Sequence, residues 1–296
     1  MNRRRLFDFL LCILLLGSAS PATAETQDPW NFFAFDNGVG RGVWPAARQA
    51  ETVKSLGYDG IHYNYTNPAD FAEKIAACKA VDLPISAMYI YTFVNKPGAS
   101  YDPGIKEVIR MLKGSKTMIW LTLRDGKRGE DDEIAASIVR EIALLAKDSG
   151  LEVSIYPHAG FYVASAEEAV RVAKIANMPN VGVSINLCHE LFAGNSERLP
   201  EVVKTAAPLL NLVSINGASP IPAKGPKAWD TLALGSGTFD TLGFLRLVRD
   251  SGYRGLIGHQ FYAVAGDDML KLNTAIRTWK KWKPDLLQTK TLRAAQ

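Results

Sequence analysis

The chain has 296 residues, 47% hydrophobic and 22% charged, with a net charge of +4 and three cysteines. That length suits one large α/β domain behind a short leader, and no long block of Lys or Arg points to nucleic acid as a partner. The nearest candidate, Lys280-Lys281 between Trp279 and Trp282, reads as a solvated helix face.

The first residues carry Arg3, Arg4 and Arg5, then an apolar run over 9–16, then Ala22-Thr23-Ala24 as a small-residue cleavage site. This reads as a secretory signal peptide over 1–24, its apolar part too short to span a bilayer. Arg4-Arg5-Leu6-Phe7 loosely matches a twin-arginine signal, while the very apolar run after it favours the general secretory route. Cys12 lies inside that run rather than at its end, which argues against a lipoprotein. The expected mature protein, 25–296, is therefore exported, to a periplasm or the medium, and has no membrane anchor after cleavage. Removing 1–24 takes away three arginines and Asp8, and the net charge falls to +2. Cys78 and Cys188 remain; buried free thiols are the default reading, and a bridge between them stays open in an oxidising compartment.

From there, strand and helix signals alternate. Residues 31–35 read as a first strand, and Pro45 opens a helix that ends at Gly57. Residues 60–63 form a second strand, followed by Asn67-Pro68, an N-cap with proline at the first helical position. A third strand covers 85–93, and Asp102-Pro103 repeats that helix-start chemistry. Residues 117–123 are a fourth strand. Ile134, Ile138, Ile142 and Leu145 mark one face of a long helix closed by Gly150. Leu-Glu-Val-Ser-Ile-Tyr-Pro-His (151–158) and Val-Gly-Val-Ser-Ile-Asn-Leu-Cys-His (181–189) are strands five and six, each running into a histidine. Between them Ser165 and Glu168 have the spacing of a capping box. Residues 212–215 are strand seven. Leu242, Leu245 and Val248 form one face of a helix over 240–251, 256–261 is strand eight, and 268–282 is the closing helix.

Ser55–Tyr63 and Asp250–Gly258 echo each other, and Lys147–Val153 is a looser third copy: a glycine ends a helix and a strand follows. Eight such units without a long linker imply a closed (β/α)8 TIM barrel in a single domain. The alternative, an open doubly wound sheet, lacks its glycine fingerprint, because Asp-Asn-Gly-Val-Gly-Arg-Gly after strand one has the wrong spacing.

In such a barrel the chemistry sits at the carboxyl ends of the strands. All four histidines, His62, His158, His189 and His259, fall on or within three residues of a strand. Alternation along a strand lets only one of His259 and Gln260 look into the mouth. Tyr156, His158, Asn186 and His189 cluster at the ends of strands five and six, with Asn216 after strand seven. Arg124, just after strand four, and Lys96, after strand three, are candidates for an anionic group.

The chain resembles the sugar phosphate isomerase/epimerase group of xylose-isomerase-like barrels. The resemblance rests on Gly57-Tyr-Asp-Gly-Ile61, Tyr156-Pro-His158, Asn186-Leu-Cys-His189, and above all Gly235-Ser-Gly-Thr-Phe-Asp240 with Gly252-Tyr-Arg-Gly255. It implies a divalent metal held by acids that end strands five, six and eight. Those positions here are Tyr156, Asn186 and Gln260, and a strand-two glutamate falls at His62. Hard cations prefer anionic oxygens, so a set of His158, His189, Asn186 and Gln260 suits one divalent transition metal, or none.

The function this implies is an exported sugar isomerase or epimerase. It would act on a free or oxidised keto-sugar by proton abstraction next to a carbonyl, with His158, His189 and Tyr156 catalytic. Asn186, Asn216, Gln260, His62 and Arg124 would bind substrate. A non-catalytic sugar-binding barrel that has lost its metal site and a keto-sugar lyase or hydratase are the alternatives; the partner in each is a small carbohydrate.

Overall fold

The structure, a computed structural model, describes residues 29–95, 100–225 and 227–288. The expected signal peptide lies outside them.

The elements follow in chain order as β1 Phe32–Phe35, α1 Ala46–Leu56, β2 Gly60–Asn64, α2 Pro68–Ala80, β3 Ile85–Phe93, α3 Ile105–Met111 and β4 Met118–Arg124. Next come α4 Asp132–Asp148, β5 Val153–Ile155, α5 Ala166–Ala176, β6 Val181–Asn186, α6 Leu187–Ala193, α7 Leu199–Ala206 and β7 Leu210–Ile215. The chain ends with β8 Gly217–Pro220, β9 Trp229–Leu232, α8 Thr241–Asp250, β10 Leu256–His259 and α9 Asp268–Leu287. Eight parallel strands close in the order β1-β10-β7-β6-β5-β4-β3-β2. This is the single-domain (β/α)8 barrel that the alternation of elements predicts.

The layers are visible in the first strand. Phe33 and Phe35 point into the barrel against Trp120, with ring centroids 6.1 and 5.1 Å away. Phe32 points the opposite way and stacks between Tyr58 and Trp279 of α9, at 5.4 and 4.5 Å. The barrel interior also carries a buried polar string: Trp120 Nε1 donates to Ser184 Oγ, which lies 2.6 Å from Ser154 Oγ. Paired in this way, these polar atoms lose little on leaving water.

The cap chemistry mostly holds. Asn67 accepts from the Asp70 N–H at 2.9 Å with Pro68 opening α2, and Gly57 closes α1 at φ +85°. Three expectations shift. Asp102 does not cap a helix directly: its Oδ1 accepts from the Gly104 N–H and from Tyr65, and α3 starts only at Ile105. Glu168 reaches back to the Ala164 N–H at 2.6 Å instead of to Ser165, so the box is one residue wider than expected. Ile134 is 47% exposed, because the buried face of α4 runs through Ala135, Ile138, Val139, Ile142 and Ala146. In addition, α9 continues past Pro284 to Leu287, where Arg246 and Arg249 both hold Asp285.

The region between β7 and the last barrel strand carries an unexpected antiparallel hairpin, β8 with β9. The 235–240 run closes against it. Gly237 bridges Ala218 and has φ +89°, while Asp240 caps α8 through the Gly243 N–H at 2.8 Å. Cys78 and Cys188 are free and buried, and burial raises both thiols to about 11.

Candidate functional site

At the carboxyl ends of the barrel strands a cavity of about 260 Å³ opens. It takes side chains from β1, β2 and β3 and from the segments that follow β5, β6 and β10, so each wall is placed by the end of a strand. The pairing Phe35↔His62 aligns the ends of β1 and β2, for example.

One wall comes from β5 and β6. The rings of His158 and His189 lie 3.9 Å apart, tilted by 36°. The far face of His158 stacks on Phe161, also at 3.9 Å. His158 Nδ1 is 2.9 Å from the Ala159 carbonyl oxygen, which can only accept, so Nδ1 carries the hydrogen and Nε2 of the neutral ring keeps its lone pair. His189 is buried and neither ring nitrogen has a partner. Burial is the main cause that lowers both histidines below their ordinary value; Arg124 adds to it for His158, and His158 adds to it for His189. Beneath them Asn186 Nδ2 donates to the Tyr156 hydroxyl, and Asn186 Oδ1 is buried without a partner. Burial raises the Tyr156 phenol far above its ordinary value, so it stays a neutral O–H donor.

The facing wall comes from β1 and β2, which sit opposite β5 and β6 in the closed strand order. Here the buried Asp36 accepts from Arg41 and from the Asn64 N–H, and its Oδ1 lies 3.6 Å from His62 Nδ1. His62 is enclosed by Phe35, Tyr89 and Trp120. Burial lowers it to about 4, against the opposing pull of Asp36. Asp36 is the site residue that sequence reasoning misses. It follows a four-residue strand and opens a glycine-rich run that reads as a loop, and its partners lie 26 and 28 positions away in sequence. Aligning the ends of the first two strands was the signal that could have found it.

Of His259 and Gln260, the mouth takes Gln260. A Cβ on Gly258 would run into Phe33 and Phe35 inside the barrel, so His259 faces outward, beside Phe32 and Phe261. Gln260 Oε1 accepts from Asn37 Nδ2 at 2.6 Å and from the Tyr262 N–H at 2.9 Å. Asn37 Oδ1 in turn accepts from the Phe261 N–H at 3.2 Å. Because backbone N–H groups only donate, both amides are oriented, and Gln260 offers the cavity its NH₂ group alone.

Three expected binding residues stand apart from the cavity wall: Asn186, buried with its amide on the Tyr156 hydroxyl, Arg124 and Asn216. Arg124 lays its guanidinium over Phe161, Tyr91 and Phe93, at 4.6, 5.1 and 5.4 Å from the ring centres, because flat aromatic faces attract a flat cation. Asn216 is buried below the hairpin and donates to its neighbour's carbonyl, Gly217, at 2.8 Å. Lys96 lies outside the described residues. Glu190, beside His189 in sequence, faces away: its carboxylate accepts from the Ala166 N–H and from Asn195, each at 2.7 Å.

The donor chemistry decides how the expected metal set fits. The oxygen of Gln260 is occupied, which leaves two imidazoles and Asn186 Oδ1, with no carboxylate among them. Among the described residues no three His, Cys, Asp or Glu side chains gather as a metal site. Hard divalent cations select several anionic oxygens, and these residues do not fit such an ion.

A closed parallel barrel with its polar cavity at the strand ends defines the class. Residues 50–281 match the model of the xylose isomerase-like TIM barrel family, and the chain belongs to that family. No curated protein sequence matches it. Among solved structures it is similar to 3-keto-D-glucoside 4-epimerase, YcjR, from E. coli, with 15% identity and a TM-score of 0.65 over 85% of this chain and 99% of that one. A D-allulose 3-epimerase from Methylomonas sp. is similar at 17% identity and TM-score 0.66, over 86% and 99%. A xylose isomerase-like TIM barrel protein from Mycobacterium smegmatis, in complex with magnesium, is similar at 19% and 0.65, over 87% and 96%. At such identities the likeness is one of fold.

Proposed function

We propose that the chain is an exported sugar epimerase or isomerase that moves a proton next to the carbonyl of a free or oxidised keto-sugar. The observation that carries this reading is the pair His158 and His189. Two imidazoles held neutral by burial, 3.9 Å apart, line the cavity; both nitrogens of His189 are without a partner, and Ala159 holds the Nδ1 of His158, leaving it the Nε2 lone pair. Export rests on the leader sequence over 1–24, and it favours an unphosphorylated substrate, since phosphorylated sugars are held in the cytoplasm.

In the reaction, His158 Nε2 takes the proton from the carbon beside the carbonyl, with His189 stabilising the imidazolium. The C–H electron pair moves onto the carbonyl oxygen, and the Tyr156 hydroxyl, oriented by Asn186, donates a hydrogen bond to that enolate. Transfer of the hydroxyl proton of the deprotonated carbon to the former carbonyl oxygen, with return of the carbon-bound proton to the neighbouring carbon, completes an isomerisation. Delivery from the opposite wall, by a His62 that has first taken a proton from solvent beside Asp36, inverts the original carbon and completes an epimerisation, and His158 releases its proton to solvent. Two of the similar structures are a 3-keto-D-glucoside 4-epimerase and a D-allulose 3-epimerase, which agrees with this direction.

The test is hydrogen exchange. The mature protein is incubated with a panel of free keto-sugars in deuterium oxide, and proton NMR follows deuterium entering the carbon beside the carbonyl. Exchange is expected with the wild type and falls about 100-fold or more in His158→Ala and in His189→Ala, the usual scale for a lost general base. Unchanged exchange in both variants sinks the histidine mechanism. The carboxamides at Asn186 and Gln260 also favour a second reading, a barrel that binds sugar without turnover; binding with no exchange by the wild type would establish it.

A further inference from the structure

A second cavity, of about 480 Å³, adjoins the first; Ala159 and Phe192 line both. Its rim brings Arg128, Arg171 and Arg198 together with Glu167 and Glu168. The three arginines already have anionic partners: Arg171 holds Asp132 at 2.8 Å, Arg198 holds Glu167 at 2.8 Å, and Arg128 lies 3.7 Å from Glu168. An anion entering here would find three of the four cations, all but Lys227, already neutralised.

A sugar diol is a better match. Each hydroxyl both donates and accepts, so neighbouring hydroxyls can take an N–H from a guanidinium and give an O–H to its carboxylate without breaking the pair. Phe192 lies between the cavities, its ring 6.3 Å from that of His189, and supplies an apolar face of the kind a sugar ring stacks on. Size points the same way. At about 260 Å³ the histidine cavity alone falls under the roughly 300–1,000 Å³ of typical ligand sites, and the two cavities together fall within it.

We infer that the substrate is a glycoside of about two sugar units. The keto-ring reacts between His158 and His62, and the second ring lies past Phe192 against the Arg198–Glu167 pair. This inference rests on the keto-sugar reading above and adds to it the size of what is bound.

Calorimetric titration tests it with four probes: D-fructose, and its glucosides linked through O3, O5 and O6, each of which keeps a free ketone. At least one glucoside is expected to bind ten-fold or more tightly than fructose. Arg198→Ala and Glu167→Gln are expected to remove that advantage and leave fructose binding unchanged. Fructose binding that no glucoside improves, or an advantage that survives in both variants, overturns the second subsite and leaves the keto-sugar reading standing. No binding of any of the four overturns both.

Discussion

His62 and its neighbour Asp36 decide which reaction the cavity performs. Proton removal requires only the His158 wall, whereas inversion at the same carbon requires delivery from the other side, and His62 is the imidazole placed there. In His62→Gln the packing volume against Phe35 and Trp120 is largely kept, so deuterium exchange should persist while inverted product drops about 100-fold or more. The measurement is the ratio of exchange to epimer formation by NMR. Equal loss of both would assign His62 to positioning the substrate, and equal retention would remove it from the chemistry. Asp36 belongs to the same unit: it sits between His62 and Arg41, so Asp36→Asn leaves the Arg41 cation without its anion at the mouth and should lower formation of the inverted product as His62→Gln does.

The elements that carry these residues were legible to different degrees, for physical reasons. The barrel strands are apolar runs bounded by N-caps and C-terminal glycines, signals that act within a few residues, and they could be read directly. The positions of His158, His189 and Tyr156 followed from strand ends. The hairpin of β8 and β9 could not be read: Gly-Ala-Ser-Pro and Trp-Asp-Thr-Leu have no sustained apolar alternation and are only partly buried. They are strands because of long-range pairing, and Gly237 anchors that pairing. At φ +89° its bridge to Ala218 leaves no room for a side chain, since a Cβ would collide with the Ala218 carbonyl oxygen. Gly237→Ala should therefore cost about 1–3 kcal/mol in backbone strain alone and loosen the hairpin, whose Thr231 lies 3.5 Å from Cys188 in α6. Urea unfolding measures the loss, and thiol-reagent labelling of Cys188 should speed up. A variant as stable as the wild type would show that the bridge does not hold the hairpin.

At the scale of the whole molecule, the buried imidazoles make the fold sensitive to acid. His62, His189 and His259 are all buried, and burial lowers their affinity for protons, to about 4 for His62 and about 3 for His259. The unfolded chain binds those three protons near the ordinary value of 6.5, so between pH 6.5 and 4.5 it holds more protons than the native state, and stability falls as pH falls. Glu190 opposes this. Its folded value is raised from 4.5 to about 7, chiefly by burial, so in the same window the native state keeps a proton that the unfolded chain releases, and acidification favours folding at that one site. His158, also lowered by burial, adds to the histidine side, so the imidazoles outweigh Glu190 and net stability falls as pH falls through this window. Glu190→Gln removes the compensating proton and should steepen the loss by about 1.4 kcal/mol per pH unit. Urea unfolding followed by tryptophan fluorescence at several pH values gives both slopes. A flat wild-type profile would mean that water reaches the imidazoles and that they titrate in the folded protein. The dry, neutral His158–His189 wall on which the proton-transfer reading depends would then be lost, so this stability measurement on the resting protein also tests the chemistry.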